Sequence, residues 1–567
     1  MRWTHKPKPE LSKIERLQKA LHVDVIVATL LLERGIETYE EAKQFFRPSL
    51  KDLHDPFLMK DMDKAVARIE KAIANQENIL VYGDYDVDGT TSVALMASYL
   101  KSKHPLVYTY IPNRYDEGYG ISYKGINFAL ENDFTLIIAL DCGIKAIDKV
   151  AFAKEKGIDF IICDHHRPGD IIPAAIAVLD PKQDDCHYPY KELCGCGVGF
   201  KLIQALASKE GKGIKDLVEY LDLVATAIGA DIVPITGENR VLTYFGLQLI
   251  NTNPRPGIKA ILEQVNKTEL TITDVVFVVA PRINAAGRMK HGNYAVTLLL
   301  ETEYENALQY AGEIDTYNLE RREEDKRITE EALKQIVANR EENNITTVVY
   351  QEDWHKGVIG IVASRLTETY YRPTLVFTKS GDKLAASARS VRDFDIYNVI
   401  EACSEHIDQF GGHKYAAGLT LKEENYHAFK QAFEDEVSRT IDRSLLIPEI
   451  KIDAKIDLKD ITPKFYRIIK QFAPFGPENM VPAFMTENLK DTGYGKCVGD
   501  DKTHLRMTVA QKKLNGFVAI GFGMGDKYNL ISDNKLFKAV YSIDENEWQG
   551  NRSLQLKLRD IKAQDSN

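Results

Sequence analysis

The chain has 567 residues, 44% hydrophobic and 28% charged, more than one core organises, so three or four domains are expected. Seven cysteines, an odd number, exclude a small disulfide framework and fit a reducing cytosol. The opening MRWTHKPKPE lacks the apolar core of a secretory signal, and no apolar run approaches the ~18 residues of a membrane-spanning helix. A net charge of −10, from 73 basic and 83 acidic residues, excludes a surface basic all over but not a locally basic cleft.

Residues 1–55 hold two helical patterns, LSKIERLQKALH and TYEEAKQFF, followed by Pro48 and Pro56. They are expected to form a helical N-terminal arm without visible chemistry. A helix is expected over about 62–75. Next comes NILVYGDYDVDGTTSVALMASYL. Its β-rich run 79–82 is a strand, Gly83 opens a tight loop, and a helical pattern begins near Thr90. Asp84, Asp86 and Asp88 lie between. Alternating carboxylates on an extended segment point the same way, and a divalent cation is the usual remedy for their repulsion. A calcium-binding EF-hand loop would need glutamate at the twelfth position from Asp84, which is Leu95.

The strand–loop–helix alternation repeats. PLVYTYIP is followed by the loop NRYDEGYGIS with Arg114 and Tyr119. TLIIALDCG ends at Asp141, and IDFIICDHH ends at Asp164, His165 and His166. A parallel sheet with helices on both faces would bring these carboxyl-terminal ends together, and neutral imidazoles ligate transition metals. LDLVATAIGADIVPI reads as a helix, with Asp222 and Asp231 as candidates for one more ligand. Cys186, His187, Cys194 and Cys196 lack the paired CxxC spacing of structural zinc and are read as a loop with reduced thiols.

PRINAAGR (281–288) offers Arg282 and Arg288 as a phosphate clamp and Asn284 as a sugar or phosphate contact; a structural turn with two surface arginines explains it equally well. Residues 304–344 form a charge-rich helical pattern, polar nearly all round, as in a helix that bridges domains. An α/β pattern restarts at TTVVYQEDWHKGVIGIVASRL, where Gly357 and Gly360 lead into a helix whose start would favour an anion. From about Ile447, with 19 basic and 16 acidic residues to the end, KIDAKIDL, HLRMTVA, GFVAIGFG, KAVYSI and SLQLKLRDI alternate like half-buried antiparallel strands. A partly open OB-like barrel is expected. Tyr494, Phe517 and Trp548 are candidate stacking platforms for single-stranded nucleic acid, some of them core.

DYDVDG, LDCG, DHH and ADIVP, in that order, resemble the four motifs of the DHH phosphoesterase superfamily. PRINAAGR, WHKGVIGIVASR (354–365), SARSV (387–391) and GGHKYAAG (411–418) resemble its DHHA1 signatures. The set is similar to the RecJ family of single-strand-specific DNA exonucleases over roughly residues 50–560. Glu478 departs from a glycine frequent there, and the chain stops soon after the barrel, so an extra terminal domain of some members is expected to be absent.

The resemblance implies an α/β fold: a DHH catalytic domain (56–240), a helical region with PRINAAGR and a connecting helix (241–344), a DHHA1 domain (345–446) and an OB-like domain (447–567). It favours Asp231 over Asp222 as the fourth-motif ligand. The expected metal ligands are Asp84, Asp86, Asp88, Asp141, His165 and Asp231, holding two Mn²⁺ or Mg²⁺ ions ~3.5–4 Å apart, with Asp141 as bridge. Histidine ligation suits Mn²⁺ better. His166 would face the scissile phosphate, with Asp164 orienting an imidazole; Asp86 and Asp141 join them in the catalytic set. Arg114, Arg282, Asn284, Arg288, His355, Ser387, Arg389, Gly412 and His413 are the expected substrate contacts.

The implied activity is 5′→3′ hydrolysis of single-stranded DNA to 5′-mononucleotides in DNA repair and recombination. The setting is cytoplasmic and away from membranes, by a monomer whose protein partners are a single-strand-binding protein or a helicase. The polarity rests on the resemblance alone. A DHH phosphodiesterase for very short oligonucleotides or cyclic dinucleotides would not need the barrel. A non-catalytic replication scaffold would be expected to have lost ligands that this chain retains.

Overall fold

The computed structural model describes residues 1–567 apart from 264–266, 268, 513–515, 549 and 565–567; the Trp548 side chain, one of the expected stacking rings, also lies outside the described residues. The chain forms two compact units. One comprises Asp55–Asp231 and Gly246–Pro448, the other Met1–His54, Ile232–Phe245 and Glu449–Asn567.

In the first unit the runs NILVYG, FTLIIAL and DFIIC are neighbouring strands, buried almost throughout. A parallel sheet is covered on both faces and takes apolar side chains on both. Its five strands run in the order Val107–Tyr110, Asn78–Gly83, Phe134–Leu140, Asp159–Cys163, Ala177–Leu179, all parallel. Ile126 and Ala129 of helix Tyr123–Glu131, with Val150 and Ala153 of Ile147–Glu155, share a core with Leu80, Tyr82, Ile137 and Ile162. Helices Val87–Lys101 and Gly195–Lys209 pack together on the other face. Gly199 permits the fit: a Cβ there would lie 3.2 Å from Leu140 Cδ2 and 3.7 Å from Leu95 Cδ2. After Asn78–Gly83 the chain adds Val107–Tyr110 on one side and Phe134–Leu140 on the other. Open sheets bind ligands outside the carboxyl ends beside such a reversal.

Beyond residue 246 the same unit continues through helices Ala280–Met289 and Asn293–Leu300 into a 35-residue helix, Tyr304–Ala338. Its buried side chains include Ala307, Ala311, Ile314, Ile328, Ala332 and Ile336, one stripe on an otherwise polar cylinder. Asp325 is buried in that stripe and accepts two guanidinium bonds from Arg365, both 2.7 Å. Such a bidentate pair fixes orientation as well as distance, here between the long helix and Ile359–Tyr370. The second sheet runs Gln409–His413, Ala416–Lys422, Lys383–Arg389, Thr374–Ser380, Thr347–Tyr350, antiparallel except for the last pair.

The other unit is built on seven strands. Phe484–Asp491 pairs with Phe537–Trp548 and, through Lys490 and Asp491, with His504–Ala510. That second pairing closes the sheet into the barrel foreseen from the alternation. In His504–Ala510, Leu505, Met507 and Val509 are buried while Arg506 is exposed. Tyr494 is exposed, whereas Phe517 packs against the core.

Residues 1–55 carry helices Leu11–Leu21, Val25–Leu32 and Tyr39–Phe46 and add a strand ahead of them. Arg2–His5 is a strand parallel to Glu449–Ile452. Leu17, Leu30 and Leu31 join Phe465, Phe484 and Tyr541 in one core, because helices this short are not stable without tertiary packing. The expected boundary at 240 falls inside helix Gly237–Thr252. Glu478 has φ +60°, a left-handed conformation that strains any residue with a Cβ and that glycine adopts freely.

Glu33, just after helix Val25–Leu32, faces Asp453, Lys6 and Arg34. Lys6 Nζ lies 2.5 Å from Asp453 Oδ1 and 3.8 Å from Glu33 Oε2. Burial, then the Asp453 charge, push the Glu33 carboxyl up from 4.5 to about 8. The folded chain therefore keeps a proton that the unfolded chain releases. This contribution to stability is full below 4.5 and is lost as pH rises to about 8. Glu33→Gln removes the titration, so its urea midpoint should exceed the wild type's by more at pH 8 than at pH 5. An equal margin at both pH values would refute the buried acid.

Candidate metal centre

Asp84 follows strand Asn78–Gly83, Asp141 follows Phe134–Leu140, and Asp164, His165 and His166 follow Asp159–Cys163. Asp231 arrives as the C-cap of helix Leu221–Ala230. These elements bring His165 Nε2 to 3.2 Å from Asp141 Oδ1, 3.5 Å from Asp231 Oδ2 and 3.8 Å from Asp88 Oδ2. Neither this nitrogen, Asp141 Oδ1 nor Asp84 Oδ2 has a hydrogen-bond partner among the described residues, although all three are buried. Buried polar atoms are costly to leave unpaired.

Burial, reinforced by neighbouring carboxylates, pushes Asp88 up to about 6 and Asp84 and Asp231 up to about 8, and raises Asp141 well above the usual carboxylate range. Burial and the nearby His166 push His165 down to about 3, so its ring is a neutral donor. A divalent cation would satisfy the unpaired atoms and offset the repulsion together. The donor set fits one.

Asp86 and Asp88 are held differently. Asp86 caps helix Val87–Lys101, its Oδ1 accepting the Gly89 N–H at 3.0 Å. Asp88 accepts the N–H groups of Gly195 and Cys196 at 2.6 and 2.7 Å. Helix Gly195–Lys209 thus directs its N-terminus at Asp88. A Cβ on Gly195 would lie 2.5 Å from Asp141 Cβ and 2.6 Å from Asp141 Oδ1, so only glycine allows this approach. The supporting role of the GCGVG stretch was missed in the sequence, where its glycine density was the available signal. Cys194 Sγ accepts the Gly197 N–H at 3.3 Å as the helix cap, and no cysteine joins a ligand group among the described residues. Asp222 is spoken for by Arg255, whose backbone N–H and Nε both donate to it at 3.0 Å.

Asp164 is fully enclosed. It accepts the backbone N–H groups of Ile144, His165 and His166, and its Oδ1 lies 2.7 Å from His166 Nδ1. Burial opposes ionisation of Asp164, but the His166 contacts and these bonds outweigh it and hold the carboxyl below the usual range. Burial likewise opposes charge on His166, yet Asp164 lifts the imidazole to about 9. His166 Nε2 meets the Tyr119 hydroxyl at 3.2 Å. Tyr119, which also donates to the Asp141 carbonyl at 3.3 Å, is absent from the expected site residues. The Gly412 φ of +147° shapes the hairpin that carries His413. The His413 ring lies nearly parallel to His166, centroids 6.3 Å apart.

The expected substrate contacts divide. Arg114 lies over the Tyr85 ring at 3.9 Å. Arg288 donates to the Gly357 carbonyl at 3.0 Å; burial, then Arg114, Arg389 and Arg321, push it down to about 9. Arg389 donates to Ser387 Oγ at 3.1 Å. Both pack on the start of helix Ile359–Tyr370, where a Cβ on Gly360 would lie 2.9 Å from Ser387 Oγ. His355 Nδ1 accepts the Gly357 N–H at 3.2 Å, and its ring meets Tyr115 edge-on. Asn284 Oδ1 is buried without a hydrogen-bond partner among the described residues. Arg282 is engaged elsewhere, donating to Asp315 at 2.6 Å and to the Val278 carbonyl at 2.9 Å.

Models of the DHH family N-terminal domain, the DHHA1 domain and the RecJ OB domain match residues 78–228, 342–439 and 452–560. The chain is 36% identical to the single-stranded-DNA-specific exonuclease RecJ of Bacillus subtilis over 99% of its own length and 70% of that protein. It is 33% identical to the Escherichia coli RecJ exonuclease, over 94% and 95% of the two chains. The crystal structure of Thermus thermophilus RecJ in complex with Mn²⁺ superposes with a TM-score of 0.86 at 27% identity, covering 100% of this chain and 80% of that one.

Gly195→Ala should keep the far-UV circular dichroism of the wild type yet weaken binding of a titrated divalent cation by roughly tenfold or more, as when a ligand's supporting partner is lost. Unchanged calorimetric affinity would refute the role given to this helix start.

Proposed function

The chain belongs to the RecJ family and is a single-stranded-DNA-specific exonuclease, and from that premise we propose that it releases 5′-mononucleotides in the 5′→3′ direction with two Mn²⁺ or Mg²⁺ ions. One observation carries this reading: His165 Nε2, unpartnered, within 3.2–3.8 Å of oxygens from Asp141, Asp231 and Asp88. With Asp84 and Asp86 beside them, these groups exceed what one ion takes; they would hold two, with Asp141 serving both. Held there, two divalent cations would polarise the phosphoryl oxygens and lower the pKa of the attacking water.

The chain's own groups do the rest. Asp164 holds His166 charged and fixed through Nδ1, so Nε2 can exchange the Tyr119 hydroxyl for the scissile phosphate. Arg288, Ser387, Arg389 and the start of helix Ile359–Tyr370 receive the terminal 5′-phosphate, with Arg114, Asn284 and His355 around it; that pocket is the source of the polarity. His413, held by the Gly412 hairpin against His166, narrows the entry until a single strand passes and a duplex does not. Arg282 supports the fold through Asp315 rather than the strand. In the barrel, exposed Tyr494 is a stacking platform for a base. The enzyme serves DNA repair and recombination in the cytoplasm as a monomer, on strands presented by a helicase or a single-strand-binding protein.

The test is a 3′-labelled oligonucleotide with Mn²⁺, alone and as a blunt duplex, with product lengths followed over time. We expect shortening from the 5′ end of the single strand only. Asp141→Ala should abolish it with the fold intact. Near-normal turnover by that variant would refute the bridging assignment, and cleavage confined to dinucleotides would favour a short-oligonucleotide phosphodiesterase.

A further inference from the structure

Phe277 is 74% exposed, although its neighbours Val275 and Val279 are buried. The cause lies four residues ahead. Pro281 has no N–H to give the Phe277 carbonyl, and its ring crowds that oxygen. The turn Val275–Val279 widens to a π-helix, with the Ala280 N–H reaching back five residues to the Val275 carbonyl. Such bulges sit frequently at functional sites. This one turns the phenyl ring outward.

Its place in the fold says what the ring meets. Val276 packs on Gly229, where a Cβ would lie 3.4 Å from Val276 Cγ2, two residues before Asp231. Beyond the bulge, helix Ala280–Met289 runs to Gly287, whose Cβ would meet the Tyr85 carbonyl oxygen at 2.5 Å, and to Arg288. The bulge therefore borders the carboxylate centre. It stands ~16 Å of helix from the arginine cluster, at 1.5 Å per residue. We propose that Phe277 is a stacking platform for a base of the single strand on the side of the scissile phosphate away from the bound 5′ end. The strand's identity rests on the exonuclease reading. Stacking on one ring tolerates every base, as a non-sequence-specific nuclease requires.

Binding is measured in EDTA, where no hydrolysis intervenes, with a 20-nucleotide oligo(dT) and an abasic strand of equal length. Phe277→Ala should weaken oligo(dT) binding about tenfold and leave the abasic strand unaffected. Phe277→Tyr should bind like the wild type. Emission of Phe277→Trp should be quenched by oligo(dT) and not by the abasic strand. With cation restored, Phe277→Ala should raise KM with kcat unchanged. Wild-type affinity in Phe277→Ala, or equal losses on both strands, would overturn the proposal. A wild-type protein that bound oligo(dT) but hydrolysed nothing would sink the exonuclease reading instead, while the binding arms still decide the stacking.

Discussion

The repulsion among Asp86, Asp88, Asp141 and Asp231 sets the terms for the structure around them. Ligand oxygens of Asp88 and Asp231 lie within 4.8 Å of one another. Two like charges at that distance would repel by roughly 3–4 kcal/mol at an effective dielectric of about 20, a large share of the ~5–15 kcal/mol of a domain's whole stability, and the raised carboxyls register that repulsion. Flexible loops would relieve this by moving apart. Here Asp84 and Asp141 terminate adjacent strands of a sheet covered on both faces, and the Asp88 carboxylate is clamped by the N–H groups of Gly195 and Cys196. The rigidity holds open a place for positive charge.

Opposite charge is concentrated in the same unit. Arg114, Arg288 and Arg389 are close enough that the first and last depress Arg288. Acid and base act on each other across the site, Arg114 lowering Asp84 and Asp86 raising Arg288. Glycines 357 and 360 bring the second sheet's helix close to Arg288 and Arg389, while Asp325 takes Arg365 rather than one of these three. A phosphodiester needs both sides at once, cations held by acids at the reacting phosphorus and guanidinium groups on its neighbours.

Much of this was legible in the sequence because strands announce themselves locally. An apolar run ending in aspartate or histidine places a ligand at a strand's carboxyl end, and parallel packing makes several such ends converge. Asp84, Asp141 and His165 are brought together for that reason. What stayed hidden depends on distant partners. The Gly195 approach joins residues 107 apart in the chain, and Arg282 looks like a phosphate clamp until Asp315, on another helix, takes it. Arg2–His5 finds its strand partner beyond residue 448, and no local pattern announces that pairing. Asp86 and Asp88 look alike in DYDVDG; the caps they make separate them.

The pair His165 and His166 shows how far one dipeptide can be divided. The two rings stand side by side just past the strand end, centroids 4.6 Å apart, yet they reach different partners. His165 faces the carboxylate cage, where Nε2 finds oxygens but no hydrogen-bond partner among the described residues, while His166 Nδ1 rests on Asp164. Burial acts against charge on both. It prevails at His165, held down to about 3, and is overruled at His166, lifted to about 9. The difference is the Asp164 carboxylate, whose own charge is secured by His166 itself and then by backbone N–H groups. One carboxylate that cannot easily take a proton thus keeps His166 charged, and the charged His166 joins burial in keeping His165 neutral. Exchanging the two histidines' surroundings would exchange their chemistry.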